Sequence, residues 1–412
     1  MQLENDMDRR QAAIAKASAL AAEFARTYPL RDRDREFPHQ EMSTLKQSGL
    51  LDMAVPRDNG GSALPFSAIV EVVGTLATGN PAIAQMFGAN SILVSLVIPN
   101  LPAEQRERLC REIIEDHAFI ANASSERYAK TKYAWETAFH PTPGGDGVRV
   151  KGKKFFCTGS LASDRILVMG MLDGAVAGAF VPRDADGMVI HDDWTPAAMG
   201  QRGTASGTIE FNDVYVPWEL VVRKPADRDK PDPTSSFVLI GLMQQVTFSA
   251  IFIGAASAAL NHAMQYVKTK TRPWVQGGVE KTVEDPYILQ QVGKMKAYLL
   301  AGEGVIERAA RSVEGLLAAY GRQTELERLE QVRIEAMVVT AQAKVVTTEV
   351  ALRVCEEIFQ ICGARATLVE ENFDRYWRDV RTLTLHDPVN YHAKLVGEHF
   401  LQGKPPKMAP LS

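Results

Sequence analysis

The chain is poor in the residues from which metal centres and disulfides are built. It has four cysteines in 412 residues, and no two of them form a C-x-x-C pair. Neither a zinc site nor a disulfide framework is therefore predicted. His386, His392 and His399 are six and seven residues apart, so none has a histidine one helical turn away, and no H-E-x-x-H segment occurs. We expect no metal site.

Signatures of nucleotide and nucleic-acid binding are missing as well. The sequence contains no Walker loop and no G-x-G-x-x-G fingerprint. The net charge of −4 gives no reason to expect nucleic acid or an anionic membrane as a partner. The first ten residues contain no apolar signal core, so the expected location is the cytoplasm.

One long uncharged stretch raises the question of a membrane span. No formal charge occurs between Asp232 and Lys268, a length that could cross a bilayer. Polar residues interrupt the stretch, among them Gln244, Gln245 and Asn261. A fully buried bundle helix is therefore predicted, and no membrane contact is expected.

Apolar periodicity divides the chain into three parts, and the predicted fold class is α+β. Residues 1–116 show helical spacing and predict an N-terminal α-helical domain. Residues 117–222 contain short apolar segments bounded by Gly, Asp and Pro, which predict an antiparallel β-barrel or sandwich. Residues 223–235 are charged and Pro-rich, as in a linker. Residues 236–412 return to long helical patterns and predict a C-terminal four-helix bundle.

Two local features refine this division. Asn80 followed by Pro81 is typical of an N-cap and a first helical residue, and predicts a buried helix that runs to Leu96. The alternating segment at 148–152 is expected to continue as a strand through residues 155–158.

Residues that could manage a proton are concentrated at 378–392, which read RDVRTLTLHDPVNYH. Pro388 directly follows the His386–Asp387 pair, so the helix should break there and Asp387 should be extended. At such a break the carboxylate could fix the imidazole tautomer, and the imidazole could transfer a proton near neutral pH. A solvated loop histidine beside a turn aspartate would show the same local pattern.

Other polar and aromatic residues outside this segment suit a planar cofactor with a polar edge and a phosphate. They are Phe155, Phe156, Ser124, Ser125, Thr158, Ser160, Asn122, Gln201, Arg202 and Arg272. An ordinary β surface would use the same residue types.

Four motifs, in order, resemble those of the acyl-CoA dehydrogenase fold. They are LDMAVP at 51–56 followed by two glycines, GKKFFCT at 152–158, FNDVYVP at 211–217 and QICG at 360–363. The resemblance implies a helical domain, a β domain and a helical bundle around a flavin. The catalytic glutamate of the dehydrogenases is replaced by Asp387 before Pro388, and the first bundle helix offers only Gln244 and Gln245. Proton abstraction from an acyl-CoA is therefore poorly supported.

The chain is more similar to the flavin-dependent monooxygenases of this fold. NASSE at 122–126, FCTG at 156–159, QRGTASG at 201–207 and LHDP at 385–388 resemble the dibenzothiophene monooxygenase group and the oxidoreductases of sulfur acquisition. These enzymes take FMNH2 from a separate NAD(P)H-dependent flavin reductase, and its reaction with O2 gives a flavin C4a-hydroperoxide that transfers oxygen. Ala364 replaces the second glycine of the family's Q-x-x-G-G motif, which favours FMN over FAD. A homotetramer is implied by the family.

The resemblance also implies residue roles. Thr158 would face flavin N5, Asn122 would lie beside the flavin and oxygen, and Phe156 would lie against the isoalloxazine. His386 would manage a proton near C4a, with Asp387 as a further catalytic residue. The remaining implied cofactor contacts are Ser124, Ser125, Ser160, Gln201, Arg202, Ser206, Arg272 (to the phosphate), Gln360 and Arg381.

The expected substrate pocket contains Phe87, Asn90 and His392. Dibenzothiophene monooxygenases have a histidine, and a tyrosine one turn later, on the helix that here carries Asn90 and aliphatic residues. A small substrate is therefore expected: a sulfinate, sulfone or sulfide, or alternatively an indole-like aromatic or an amine that is N-hydroxylated. The LHDP segment favours an organosulfur compound. An FAD-dependent acyl-CoA dehydrogenase and a non-catalytic scaffold stay open as alternatives.

Overall fold

The computed structural model describes residues 2–127, 135–223, 236–321 and 325–407. Helices, a sheet and then long helices follow one another along the chain. The predicted α+β fold is confirmed, whereas the predicted domain limits remain a proposal. The predicted linker at 223–235 lies, beyond Arg223, outside the described residues.

The N-terminal part is helical. Its helices are α1 (Gln2–Asp34), α2 (His39–Gln47), α3 (Phe66–Ala77), α4 (Pro81–Ile92) and α5 (Ala103–Glu115). Helix α4 begins as predicted, because the Asn80 side chain accepts hydrogen bonds from the backbone N–H groups of Ala82 and Ile83 at 3.0 and 3.3 Å. Its regular α-helical turns end four residues before Leu96 and continue as a π-helical turn, Leu93–Val97.

The central part is an eight-stranded sheet. Its strands are β1 (Ile120–Ala123), β2 (Ala138–Pro141), β3 (Gly147–Lys154), β4 (Arg165–Leu172), β5 (Ala175–Pro182), β6 (Met188–Ile190), β7 (Ile209–Pro217) and β8 (Val221–Arg223). They lie in the order β6-β7-β3-β2-β4-β5-β8, with β1 paired to β4. Most pairs are antiparallel, as predicted, but β1 and β2 run parallel to β4.

Strand β3 is shorter than predicted. It ends at Lys154, and Phe156 then adopts a positive φ of 58°. A non-glycine residue in this region of φ cannot continue a strand. Residues 155–158 therefore form a turn at the end of the sheet, in which Phe156 is exposed and Cys157 is buried.

The described residues of the C-terminal part form three long and two short α-helices. They are α6 (Ser236–Lys270), α7 (Pro286–Gly321), α8 (Leu326–Cys362), α9 (Asp374–Thr384) and α10 (Val389–Gln402). Helix α6 crosses α3 closely, since a Cβ built on Gly254 would overlap the carbonyl oxygen of Gly74. Pro81–Asn100 and Val238–Lys270 are long and apolar enough to span a membrane. In their most apolar 18-residue stretches, however, 78% and 89% are buried inside the protein. Both are core helices here.

Candidate active site

The His386–Asp387 pair lies at the break between α9 and α10, as predicted. Pro388 directly precedes α10, and the Asp387 carboxylate is buried while about 35% of the His386 side chain is exposed. His386 Nδ1 lies 3.3 Å from Asp387 Oδ1. His392, one turn into α10 and itself buried, contacts the other carboxylate oxygen through Nε2. Asp387 thus joins the two histidines.

Two residues of the long helices complete this cluster, and neither was predicted to take part in the site. Gln245 on α6 donates from Nε2 to Asp387 Oδ1 at 2.9 Å, and Lys344 Nζ on α8 lies 3.5 Å from the same oxygen. Both side chains are fully buried. No local sequence signal marks them, because packing of α6 and α8 brings them to Asp387 from positions 142 and 43 residues away.

The charges of the cluster are set by burial and by these contacts. Burial alone would raise the pKa of Asp387, but hydrogen bonds from His386 and His392 and the charge of Lys344 outweigh it and hold that pKa well below its usual range. Burial lowers the pKa of Lys344, against the attraction of Asp387. An ionised Asp387 only accepts hydrogen bonds, so His386 donates from Nδ1 and keeps Nε2 for a substrate or solvent proton.

A chain of hydroxyl groups lies at the end of the sheet. Thr158 Oγ1 is 2.9 Å from Ser206 Oγ, and Ser206 Oγ is 2.8 Å from Thr204 Oγ1. Thr204 donates to the carbonyl oxygen of Gln201 at 2.8 Å, which uses its single hydroxyl proton. Ser206 must then donate to Thr204, and Thr158 to Ser206. The Thr158 oxygen can therefore accept a hydrogen bond, and its side chain is half-buried.

An exposed ring and an unpartnered amide mark the same region. Phe156 is 55% exposed and its ring centre lies 5.7 Å from that of Trp194. Trp194 donates to the backbone carbonyl of Gln201, a residue with a positive φ of 53°. The Gln201 side chain is 2% exposed, yet within the described residues neither of its amide atoms has a hydrogen-bond partner. Buried orphan amides and strained backbone are typical of ligand sites.

A buried carboxyl group fixes this loop to helix α9. The backbone N–H of Gln201 donates to Asp379, and a Cβ on Gly200 would overlap the carbonyl oxygen of Arg378. Burial raises the pKa of Asp379 to about 7, against the hydrogen bond from Gln201. In the sequence Asp379 carries no signal of this role, because it resembles any other polar residue of an amphipathic helix.

Asn122 and the two serines that follow lie on the strand side of the site. Asn122 is half-buried on β1, in register with Leu167 of β4. The carbonyl of Ser124 accepts from Lys154 Nζ at 3.1 Å, and that of Ser125 from the backbone of Phe155 at 2.9 Å. Their backbones are therefore held against the turn that carries Phe156 and Thr158.

Several other predicted cofactor residues have protein partners. Ser160 is buried and donates to the carbonyl of Ala205 at 2.8 Å. Arg202 donates to the carbonyl of Asp32 at 2.8 Å and pairs with its carboxylate at 3.3 Å. Gln360 accepts from Gln291 at 2.7 Å. These groups support neighbouring elements in the structure as it stands.

The remaining predicted residues are distributed around the two clusters. Arg272 is exposed just after α6, and Arg381 is half-buried on α9. Phe87 and Asn90 are buried on α4, where Asn90 donates from Nδ2 to the carbonyl of Ile120 on β1 at 3.3 Å. Helix α4 also packs on α6, because a Cβ on Gly88 would overlap Thr247. It thus connects the sheet to the helix that carries Gln245.

Comparison with known families identifies the class. The N-terminal domain model of acyl-CoA dehydrogenases matches residues 8–116, and the C-terminal domain model matches residues 246–391. The protein therefore has the acyl-CoA dehydrogenase fold.

Individual relatives narrow the class. The chain is 34% identical to a dibenzothiophene monooxygenase of Mycolicibacterium goodii over 95% of this chain and 94% of that protein. It is 31% identical to the probable FMNH2-dependent monooxygenase SfnC of Pseudomonas putida, over 96% of both chains. The structure of the methanesulfinate monooxygenase MsuC of Pseudomonas fluorescens superposes with a TM-score of 0.85 at 30% identity, over 97% of this chain and 99% of that one. The chain belongs to the dibenzothiophene monooxygenase family, and the predicted enzyme class, a flavin-dependent monooxygenase, is confirmed.

Proposed function

We propose that the protein is an FMNH2-dependent monooxygenase that transfers one atom of O2 to a small organosulfur compound, such as an alkyl sulfinate or sulfone. The balanced reaction consumes substrate, FMNH2 and O2 and yields oxygenated substrate, FMN and water. FMNH2 would come from a separate NAD(P)H-dependent flavin reductase. The names of the relatives from Pseudomonas putida and Pseudomonas fluorescens support the reduced flavin and the small sulfur substrate.

The observation that carries this proposal is the group formed by Phe156, Thr158 and Gln201. An exposed ring, a hydroxyl oxygen that can accept a hydrogen bond and a buried amide with no partner among the described residues suit the face and the polar edge of an isoalloxazine. These residues therefore fit FMN, with Asn122 and Ser206 as neighbours in the same region. When bound, the reduced flavin supplies the electrons that activate oxygen.

The protein's own groups would then handle protons and exclude water. Thr158 can accept a hydrogen bond, since its proton is directed to Ser206. His386 can deliver or take a proton at Nε2, since Nδ1 is held by Asp387. A partly exposed histidine held in one tautomer is suited to general acid–base catalysis.

The same cluster argues against the acyl-CoA dehydrogenase alternative. A carboxylate that removes a carbon-bound proton needs an elevated pKa and free access to the substrate. Asp387 is buried, and its pKa lies well below the usual range. Its two oxygens already accept hydrogen bonds from Gln245, His386 and His392. It is suited to orienting the histidines and not to proton abstraction.

Two buried residues of helix α4 support the proposal of a small substrate. Phe87 and Asn90 are fully buried, and the Oδ1 atom of Asn90 has no hydrogen-bond partner among the described residues. A sulfinate or sulfone has no proton to donate to this oxygen, so the proposed size rests on the side chains: a short amide among aliphatic neighbours suits a compact substrate better than a flat tricyclic one.

We also propose that the enzyme is a homotetramer, as the family resemblance implies. Its C-terminal helices leave large apolar side chains exposed, including Leu300 on α7 and Phe400 and Leu401 on α10. Light scattering of the purified protein tests this, and a monomer at micromolar concentration would refute it.

The decisive experiment mixes the protein anaerobically with FMNH2, then with O2, and follows absorbance by stopped flow. We expect a transient spectrum that differs from those of reduced and oxidised FMN. Direct return to oxidised FMN would contradict the proposal.

Turnover with a flavin reductase should then show faster oxygenation of methanesulfinate than of dibenzothiophene, whereas the reverse order would refute the small substrate. Reduction of bound FAD by an acyl-CoA thioester would instead support the dehydrogenase.

A further inference from the structure

Lys344 is a buried lysine whose place in the fold needs an explanation. Its side chain is fully buried on α8, and its Nζ atom lies 3.5 Å from Asp387 Oδ1. The same atom lies 4.9 Å from the ring centre of Phe252 and 5.7 Å from that of Phe248, both on α6. Burial of a lysine is costly, and a carboxylate and two aromatic faces are the groups that offset this cost.

Phe248 connects Lys344 to the exposed end of the cluster. Its ring centre lies 4.9 Å from that of His386 in an edge-on arrangement. His386 is the member of the cluster whose side chain is a third exposed, whereas Lys344 and His392 are buried. The ammonium group and the His386 imidazole thus both contact the Phe248 ring and share one carboxylate oxygen, Asp387 Oδ1.

The groups around Asp387 come from four elements of the described chain. Helix α6 contributes the neutral Gln245, α8 the cation Lys344, α10 His392, and the segment between α9 and α10 His386. Lys344 is therefore the one amine among them, and its ammonium form is the counter-charge of Asp387. An opposite charge that stands alone beside an imidazole favours its protonated form, and neutralising that charge removes the effect.

We propose that Lys344 is a positioning residue of the oxygenation site: by neutralising Asp387 it limits how strongly this carboxylate holds a second proton on His386. The inference rests on the proposed function, in which His386 must exchange a proton at Nε2. Without Lys344, the buried carboxylate would draw a proton onto the neighbouring imidazole and leave it a cation over a wider pH range.

The test measures the protonation of His386 directly and needs no flavin, oxygen or substrate. Diethyl pyrocarbonate acylates neutral imidazole, and peptide mass spectrometry gives the rate at residue 386 in the full-length protein between pH 5 and 9. We expect Lys344→Met to move the midpoint of this rate profile upward by about one pH unit, a tenfold change in proton affinity. Asp387→Asn should move it downward, because the cation is then left alone.

Two further variants separate this effect from general damage. The double variant Lys344→Met/Asp387→Asn removes both charges and should return the midpoint close to the wild-type value, because the two opposite effects on His386 then disappear together. Lys154→Met removes another fully buried lysine, one that pairs with Glu126 at 2.7 Å, and should leave the midpoint unchanged. Circular dichroism confirms that each variant is folded.

Several results would overturn the inference. An unchanged midpoint in folded Lys344→Met would do so. This holds also if Asp387 then draws the additional proton onto His392 and not onto His386. If Lys344→Met does not fold, an unmoved midpoint in Asp387→Asn has the same meaning. Failure of the proposed function is distinguishable, because it would appear as a missing transient in the oxygen reaction while the labelling profiles shift as expected.

Discussion

The hydroxyl groups of Thr158 and Ser206 lie 2.9 Å apart and join the turn after β3 to the loop before β7. Because the Thr204 hydroxyl donates to the carbonyl of Gln201, the hydrogen bonds of this chain are donated in the direction from Thr158 to Gln201. The loop that carries the Gln201 amide and the hydroxyl proposed to contact the flavin are thus parts of one hydrogen-bonded unit.

Removal of the Thr158 hydroxyl should uncouple oxygen consumption from product formation. Thr158→Ala deletes one acceptor at the proposed flavin edge, and a single hydrogen bond of about 1 kcal/mol corresponds to roughly a five- to tenfold change in rate. Thr158→Ser keeps the hydroxyl and should retain the wild-type behaviour. The measurement is hydrogen peroxide released per FMNH2 oxidised. Equal peroxide release from the alanine variant and the wild type would remove Thr158 from the site.

His386 should be needed for turnover but not for folding. Its side chain is partly exposed in the segment between α9 and α10, so His386→Ala should leave the circular dichroism spectrum unchanged. Loss of a general acid–base group typically lowers the rate by about 10²- to 10⁴-fold. Single-turnover product formation with FMNH2 measures this, with His399→Ala on the exposed end of α10 as the matched control. Wild-type rates in His386→Ala would favour the non-catalytic scaffold.

The sequence predicted those parts of the molecule that depend on neighbours in the chain. The Asn80 cap, the break at Pro388 and the helix–sheet–helix order all follow from local patterns. The partners of Asp387 did not, since Gln245 was considered as a base and dismissed, and Lys344 stands in an ordinary helical pattern. Their role comes from tertiary packing, which no spacing rule reveals.

Long-range pairing also explains the differences within the sheet and its loops. The residue types at 155–158 favour a strand, but Phe156 adopts a positive φ of 58°, which ends the extended backbone. Arg202, for which a cofactor contact stays a prediction, pairs in the structure with Asp32, 170 residues earlier, and no local pattern in the sequence indicates this pair. Charged residues choose partners across the fold, so their roles are the hardest to predict from one sequence.

Asp379 should make the stability of the protein depend on pH. The folded protein holds its proton up to about pH 7, whereas the carboxyl group of an unfolded chain releases it near the ordinary value of 3.8. Folding therefore binds a proton between these values, and this group lowers the free energy of unfolding by up to about 1.4 kcal/mol for each unit that the pH rises. The contribution is complete below pH 4 and lost as the pH passes 7.

Asp379→Asn removes this dependence while it keeps an acceptor oxygen for the N–H of Gln201. The free energy of unfolding of the variant, relative to that of the wild type, should therefore increase from pH 5 to pH 8. Urea titrations at four pH values measure the difference. A difference that stays constant across this range would show that Asp379 has an ordinary pKa in the folded protein.

Gly200 should be required for the loop to reach helix α9. A Cβ at this position would overlap the backbone of Arg378, which cannot rotate away as a side chain could. Gly200→Ala should therefore push the loop outward, weaken the hydrogen bond from Gln201 to Asp379 and cost about 1–3 kcal/mol of stability, as overpacking does. The affinity for FMNH2, measured by anaerobic titration, should fall with it. Gly293→Ala on α7 is the matched control, because a Cβ there meets no atom within 4 Å and should favour the helix. If Gly200→Ala bound reduced flavin as tightly as this control, the loop that carries Gln201 could not be part of the flavin site.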